Sequence, residues 1–305
     1  MNSESAVLVT GASGLLGLAV TARLAREGRR VIPLCHRHPG PGMMAVDLMQ
    51  RDAVLDLARL EWDAVVNCAA FRSPDYGELN RSDARTLNAE MPRWLAGVAA
   101  ARKARLIQIS TDYVFPGDRP PYREEDPVGP VNFYGQTKVE AEQAVRETDS
   151  EALILRIPAL YGRVAPPAFS SLLDDGLAAA RSSTELELDD VTVRFPTHVD
   201  DVAEVIAQAI GRPLSGVLHV SAGEPATRYA FAVRVCGWLG RETGHLRRGG
   251  PPAARPARRP VDCRLATGRI ERLGLPVPRP FGAVMPDLLK ELLKSENGSS
   301  KLARS

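Results

Sequence analysis

The first 160 or so residues alternate between short runs that are apolar throughout and longer stretches whose apolar positions recur every three to four residues. The short runs are AVLVTG (6–11), RRVIPLCH (29–36), DAVVNCAA (63–70), RLIQIST (105–111) and ALILRIPALYG (152–162). The longer stretches cover 13–28, 51–61, 82–103 and 132–148. A period near 3.6 predicts helices, and short β-branched runs predict strands. Gly28 is expected to end the first helix, and Ser82 to cap the one at 82–103. Strands that are apolar on both faces and alternate with helices predict a parallel sheet covered on both sides. The expected fold class is therefore α/β, a doubly wound parallel sheet.

Beyond Gly162 the pattern loosens. Helices are expected at 168–183, within 194–211, at 227–240 and at 281–295, with a further sheet strand at 216–222. The segment 247–260, RRGGPPAARPARRP, is basic and rich in proline. Residues 296–305 read as a disordered tail.

Composition narrows the function classes. The 305 residues are 44% hydrophobic and 25% charged, as in ordinary globular chains. A net charge of +2 is too small for general attraction to nucleic acid or membrane surfaces. The basic segment 247–260 has no interleaved aromatic residues, so a nucleic-acid partner is not expected. Cys35, Cys68, Cys236 and Cys263 form no C-x-x-C pair, which argues against a zinc site or disulfide framework and suits a reducing cytosol. No apolar run reaches the roughly 20 residues of a membrane helix. The N-terminal residues enter the first strand without a basic leader, so a cytoplasmic location is expected. His198 and His219 stand alone on apolar elements and read as core histidines, with no metal site.

The string TGASGLLG sets Gly11, Gly14 and Gly17 between the first strand and its helix. Glycines there let the backbone approach a pyrophosphate, which the free N–H groups of the helix end attract. The loop residues Gly11, Ser13, Gly14, Leu15, Leu16 and Gly17 are thus a candidate dinucleotide site. NAD-specific sites carry an acid at the end of the second strand, about 20 residues on. Here that place reads His36, Arg37, His38. A guanidinium suits a 2′-phosphate, so the expected cofactor is NADP(H). Arg37 is otherwise a solvated loop residue. Asp47 reads equally as an adenine contact or as a cap for the next helix. On this reading residues 1–165 form the dinucleotide-binding domain, completed by 190–222. Residues 166–189 and 223–295 form a substrate-binding region.

The chain has only five lysines, and one of them, Lys138, stands four residues after Tyr134. At that spacing the two share a helix face. The preceding strand ends in Ser110 and Thr111, at the edge where such sheets bind ligands. A hydroxyl, a phenol and an ammonium beside a nicotinamide suit ketone reduction. Tyr134 would donate the proton, Lys138 would lower its pKa and hold the ribose, and Thr111 would orient the carbonyl.

This combination resembles the extended short-chain dehydrogenases/reductases. The segment STDYVFPGDRPPYREEDPVGPVNFYGQTKVEAE (110–142) is similar to the signature region of the dTDP-4-dehydrorhamnose reductase family. That resemblance implies Thr111, Tyr134 and Lys138 as the catalytic set. It also implies that Cys68, Ala69 and Ala70 pass the cofactor ribose and that Asn88 lies near the site, with Leu48 and Ile157 completing the cofactor contacts. The stretches PPYREEDP, LRIPALYG, RFPTHVDDVA and RRPVDC also resemble the regulatory β-subunit family of methionine adenosyltransferases. That second resemblance implies an NADP-binding subunit that acts on a methionine adenosyltransferase partner. The first implies a nucleotide-sugar substrate, though another small ketone of a biosynthetic pathway would use the same machinery, with a homodimer compatible with either. Substrate contacts are expected from Ser110, Thr111, Asp112, Tyr113, Arg194, Arg259 and the loop 71–80. The two arginines match diphosphate oxygens. Equally, Arg194 reads as a structural ion-pair member and Arg259 as a solvated loop residue.

Overall fold

The computed structural model describes residues 6–37, 39–162, 171–252 and 254–302. His38 and residues 168–170 of the predicted 168–183 helix lie outside the described residues.

The first half forms β1 (Val7–Thr10), α1 (Leu15–Arg26), β2 (Val31–Cys35), β3 (Met44–Ala45), α2 (Arg51–Leu55), β4 (Ala64–Asn67), α3 (Pro74–Leu79), α4 (Arg81–Arg85), α5 (Met91–Arg102), β5 (Arg105–Thr111) and α6 (Phe133–Thr148). The second half adds β6 (Leu153–Ile157), β7 (Leu160–Tyr161), α7 (Ser171–Arg181), β8 (Leu186–Asp189), β9 (Thr197–His198), α8 (Val199–Ile210), β10 (Gly216–His219), α9 (Arg228–Trp238), β11 (Leu246–Gly249), α10 (Gly268–Arg272) and α11 (Phe281–Leu302).

Seven strands make a wholly parallel sheet in the order β10-β6-β5-β4-β1-β2-β3. The order reverses beside β1, which places the carboxyl ends of β1 and β4 at the topological switch point. Both faces are covered, as the apolar strands require. On one face, Leu16, Val20 and Leu24 of α1 pack with Val202, Val205 and Ile206 of α8 over Val7 and Val9. On the other, Met91, Leu95 and Val98 of α5 join Trp62 and Val54 over Leu8 and Val65. A separate apolar cluster unites α7, α9 and α11 with the short β8–β11 pair, around Phe231, Phe281 and Met285.

Three elements differ from the sequence reading. The stretch 82–103 is not one helix: α4 passes through a π turn at Thr86–Glu90 into α5. Pro92 lacks an N–H and so disturbs the ladder at this junction. The cap of α4 is Asn80 rather than Ser82, because that helix starts at Arg81. The last helix continues past 295 to Leu302, through residues read as a disordered tail. Among the described residues no helix is long and apolar enough to cross a membrane.

Candidate active site

The carboxyl ends of the strands face α7 and α9 across a cleft of about 830 Å³. Its first wall is the glycine loop. Gly11 has φ +61°, and a Cβ there would lie 2.9 Å from the Ala69 Cα. A Cβ on Gly17 would run into the Gly11 carbonyl oxygen and sit 2.8 Å from the Ala12 Cα. These contacts make glycine obligatory at both positions. The helix α1 is capped by Gly14, with no capping side chain and no acid in its first turn. Its N–H groups and dipole therefore favour an anion. A cradle that side chains would fill, beside an uncapped helix end, fits a dinucleotide pyrophosphate.

Ser13, Leu15 and Leu16 line this wall, with Leu48, Cys68, Ala69, Ala70 and Ile157 further along. At the tip of the second strand His36 and Asp47 line the cleft, with the imidazole Nε2 3.5 Å from the carboxylate. Asp47 also accepts from the Met49 N–H at 3.1 Å, a turn-capping bond. Arg37 is exposed at the rim and is not among the lining residues.

The floor is held by buried polar bonds. Thr10 Oγ1 donates to Asn67 at 2.5 Å, Asn67 Nδ2 to Gln108 at 2.8 Å, and Gln108 Nε2 to the Ile109 carbonyl at 2.8 Å. Lys138 Nζ donates to the same carbonyl at 2.7 Å. The helix α6, which carries Tyr134 and Lys138, starts where Asn132 Oδ1 accepts from the Gly135 N–H at 2.8 Å. Asn132 Nδ2 reaches the Arg258 carbonyl at 2.8 Å and ties the helix start to the basic segment. Glu78 accepts from the Phe133 N–H at 2.8 Å. Two of the N–H groups that open the helix are thus satisfied, and the phenol of Tyr134 is fixed beside Thr111 and Tyr113.

Burial is the main electrostatic influence here. It pushes the Tyr134 phenol above its ordinary value, opposed chiefly by the Thr111 hydroxyl. Burial also pushes Lys138 down to about 8, opposed by Glu142 and by Cys68. The expected lowering of the Tyr134 phenol by Lys138 is not what this geometry gives. The ammonium is turned to the Ile109 carbonyl, and Tyr134 responds instead to Thr111, Asp112, Tyr113 and Arg72. Asp112 is buried, accepts from Thr111 Oγ1 at 3.1 Å, and is pushed up to about 6, with Arg194 opposing.

The opposite wall consists of long side chains. Arg194 lies 5.4 Å over the Tyr113 ring and donates to the Val193 and Pro260 carbonyls. Arg259 lines the cleft and is not a free loop residue: its fork grips Asp75 at 2.8 and 2.7 Å. Arg72, Arg228 and Arg255 also line this wall, with Asp75 and Asp175 between them. Arg72 falls within the loop 71–80 expected to meet substrate, whereas Arg228 and Arg255 were not read from the sequence. They come from separate segments, and the only available signal was the basic composition of 247–260. Two expected contacts are turned elsewhere. Asn88 is buried, and its amide is spent on Phe71 at 2.8 and 3.0 Å and on Thr137 at 3.2 Å. The Ser110 hydroxyl donates to Glu142, under the floor. Among the described residues no group of side chains is arranged to hold a metal ion.

The chain is 37% identical to the methionine adenosyltransferase 2 subunit beta of Bos taurus over 281 residues, covering 90% of this chain and 84% of that one. It is 35% identical over 298 residues to a probable dTDP-4,6-dihydroxy-2-methyloxan-3-one 4-ketoreductase of Streptomyces antibioticus, covering 95% and 96%. A crystal structure of a dTDP-4-dehydrorhamnose reductase from Clostridium acetobutylicum superposes with a TM-score of 0.84 at 27% identity, over 94% of this chain and 99% of that one. The model of the RmlD substrate binding domain matches residues 5–294, and the chain belongs to that family.

Proposed function

We propose that this chain is an NADPH-dependent reductase of a keto group on a nucleotide-linked deoxysugar. The observation that carries this reading is one cleft with three parts: an uncapped glycine-loop helix end, a floor of half-buried Tyr134 with buried Thr111 and Lys138, and a facing wall of five arginines. The 35% identity to the Streptomyces ketoreductase supports it. When bound, the reduced nicotinamide would supply the hydride. Glycine-loop N–H groups would hold its pyrophosphate, and Lys138 its ribose. Arg37 would approach a 2′-phosphate.

The residues of the floor divide the remaining work. Tyr134 is held protonated by burial, which suits a proton donor to an alkoxide. Thr111 would donate to the substrate oxygen and keep it in line with the phenol. Asp112 competes for that hydroxyl, so Thr111 must turn from the carboxylate when substrate binds. Segments 171–189 and 223–295 would form the substrate lobe, with Arg194, Arg228 and Arg255 available to a diphosphate. Arg259 would keep Asp75 as its partner and position the wall.

A second reading has its own support. The 37% identity to the methionine adenosyltransferase β subunit favours a regulatory, NADP-binding chain acting on such a partner. One experiment separates the two. NADPH oxidation is followed with dTDP-4-dehydrorhamnose and related 4-keto nucleotide sugars, beside a binding assay with the methionine adenosyltransferase of the same cell. Turnover by the isolated chain supports the reductase. No NADPH consumption, together with stable binding to that partner, overturns it.

A further inference from the structure

Beneath the floor lies a buried charge network that the proposed chemistry does not use. Glu142 stands one turn beyond Lys138 on the same face of α6. It is fully buried, and both carboxylate oxygens are engaged. Arg156 of β6 grips it with Nε at 3.0 Å and Nη2 at 2.7 Å, and Ser110 Oγ of β5 donates to it as well. Arg156 is itself pinned, since Nη1 donates to the Glu124 carbonyl at 3.2 Å and meets His219 Nε2 at 3.5 Å. His219 Nδ1 lies 3.2 Å from the Ala266 carbonyl. The ring is neutral, pushed down to about 3 by burial and Arg156, so Nδ1–H donates and Nε2 accepts.

Such a pair is a poor way to gain stability. Desolvating two charges costs several kcal/mol, and well-packed apolar residues often do as well. What the pair does provide is a fixed negative charge behind Lys138. The other ionisable groups around the lysine do not supply one. Cys68, at the end of β4, has its thiol pushed up to about 12 and stays neutral. Arg156 is cationic and lies behind Glu142, and His219 on β10 is neutral.

We propose that Glu142 is a positioning residue for Lys138: held by Arg156 and Ser110, its carboxylate keeps the lysine cationic and aimed at the cleft floor, where a cofactor ribose would need a donor. The Ser110 bond carries the same registration into β5, next to Thr111. The role in cofactor binding rests on the reductase reading. The effect on the charge of Lys138 does not.

Five lysines in the chain make the test direct. In protein labelled with ¹³C-lysine, the Lys138 signal is assigned by its loss in Lys138→Met, and its titration midpoint is compared between the native chain and Glu142→Gln. The midpoint, near 8 in the native chain, is expected to fall by about one pH unit in the variant, while the other four lysines stay in place. NADPH affinity at about pH 8 should then fall several-fold more than it does at lower pH. An unmoved Lys138 midpoint overturns the proposal, even if the melting temperature drops. A lowered midpoint with unchanged NADPH affinity overturns its functional half. If Glu142→Gln does not fold because Arg156 is left unpaired, Glu142→Gln with Arg156→Met restores neutrality, and the midpoint must still fall. A native chain that binds no NADPH overturns the reductase reading and leaves the midpoint result to decide the lysine charge.

Discussion

The glycine-loop wall of the cleft is made of backbone, whereas the facing wall is made of long charged side chains. On the first, the contacts that decide the shape run from Gly11 and Gly17 to main-chain atoms of the same loop and of Ala69. On the second, Arg259 and Arg228 are tied to Asp75 and Asp175, carboxylates on α3 and α7. A wall of backbone is preorganised and accepts one ligand shape. On such a wall a guanidinium like that of Arg228 can exchange its carboxylate partner for a ligand phosphate at little cost in fold, while the Arg259–Asp75 pair holds the wall in place. The proposed reacting groups sit between, on β5 and α6, which are fixed by capping and by buried polar bonds. This contrast predicts that substitutions on the floor, the glycine wall and the arginine wall separate into different kinetic signatures.

Tyr134→Phe should have the largest effect. It removes the proposed proton donor but keeps the ring beside Tyr113, whose centroid lies 6.2 Å away. Single-turnover NADPH oxidation at saturating substrate should slow by about 10²–10⁴-fold, with NADPH affinity nearly unchanged. A variant with native speed would mean that the tyrosine is not the acid.

Gly17→Ala probes the backbone wall. Its methyl would collide with the Gly11 carbonyl, and neither atom can move without shifting the turn. Overpacking of this kind costs about 1–3 kcal/mol. The expected result is a lower melting temperature together with loss of NADPH binding by calorimetry. Retention of native affinity would remove the loop from the cofactor site.

The same contrast explains what was legible in the sequence. The glycine loop, Tyr134 and Lys138 depend on spacing within one turn or one helix, so short-range pattern carried them. The parallel sheet followed from strands without a polar face, and the seventh strand, β3, escaped because it is two residues long. Asn88 lay close to its expected place, but its orientation depends on Phe71 and Thr137, and no pattern in α4 or α5 encodes that. The arginine wall was only partly readable: Arg72, Arg194 and Arg259 lie in segments expected to meet substrate, but Arg228 and Arg255 reach the wall only after distant segments fold together. Charge states were also unreadable. The tuning of Tyr134 by Lys138, expected from their spacing, gives way to desolvation, because burial of the phenol is a property of the assembled floor.

Arg255→Ala tests the arginine wall. Burial lowers the pKa of Arg255, and so do the neighbouring guanidinium groups of Arg228 and Arg259, with Asp75 and Asp189 opposing. A cation crowded by cations is stabilised by an arriving anion. Its removal should raise KM for a nucleotide sugar by about 10-fold, the order of one charged hydrogen bond. NADPH affinity and the rate at saturation should stay near native. A rise in the cofactor dissociation constant of equal size would put Arg255 on the wrong wall.

The smallest effect is expected at the rim of the glycine wall, where the proposed reading puts cofactor choice. His36 and Asp47 line the cleft there, while Arg37 stands exposed beside them. Asp47 is the carboxylate that lines the cleft beside His36, and its Oδ1 is already engaged by the Met49 N–H and faces the imidazole. A 2′-phosphate would be repelled by that carboxylate unless a cation joined it, and Arg37 is the adjacent cation. Exposed ion pairs contribute about 0.2–1 kcal/mol and weaken with salt. Arg37→Ala should therefore weaken NADPH by no more than a few-fold and leave NADH unchanged. The loss should be larger at low ionic strength. Fluorescence titration of both cofactors at two salt concentrations measures this. Equal native affinities for NADH and NADPH, or a variant that loses both alike, would show that selectivity for the phosphate does not reside at Arg37.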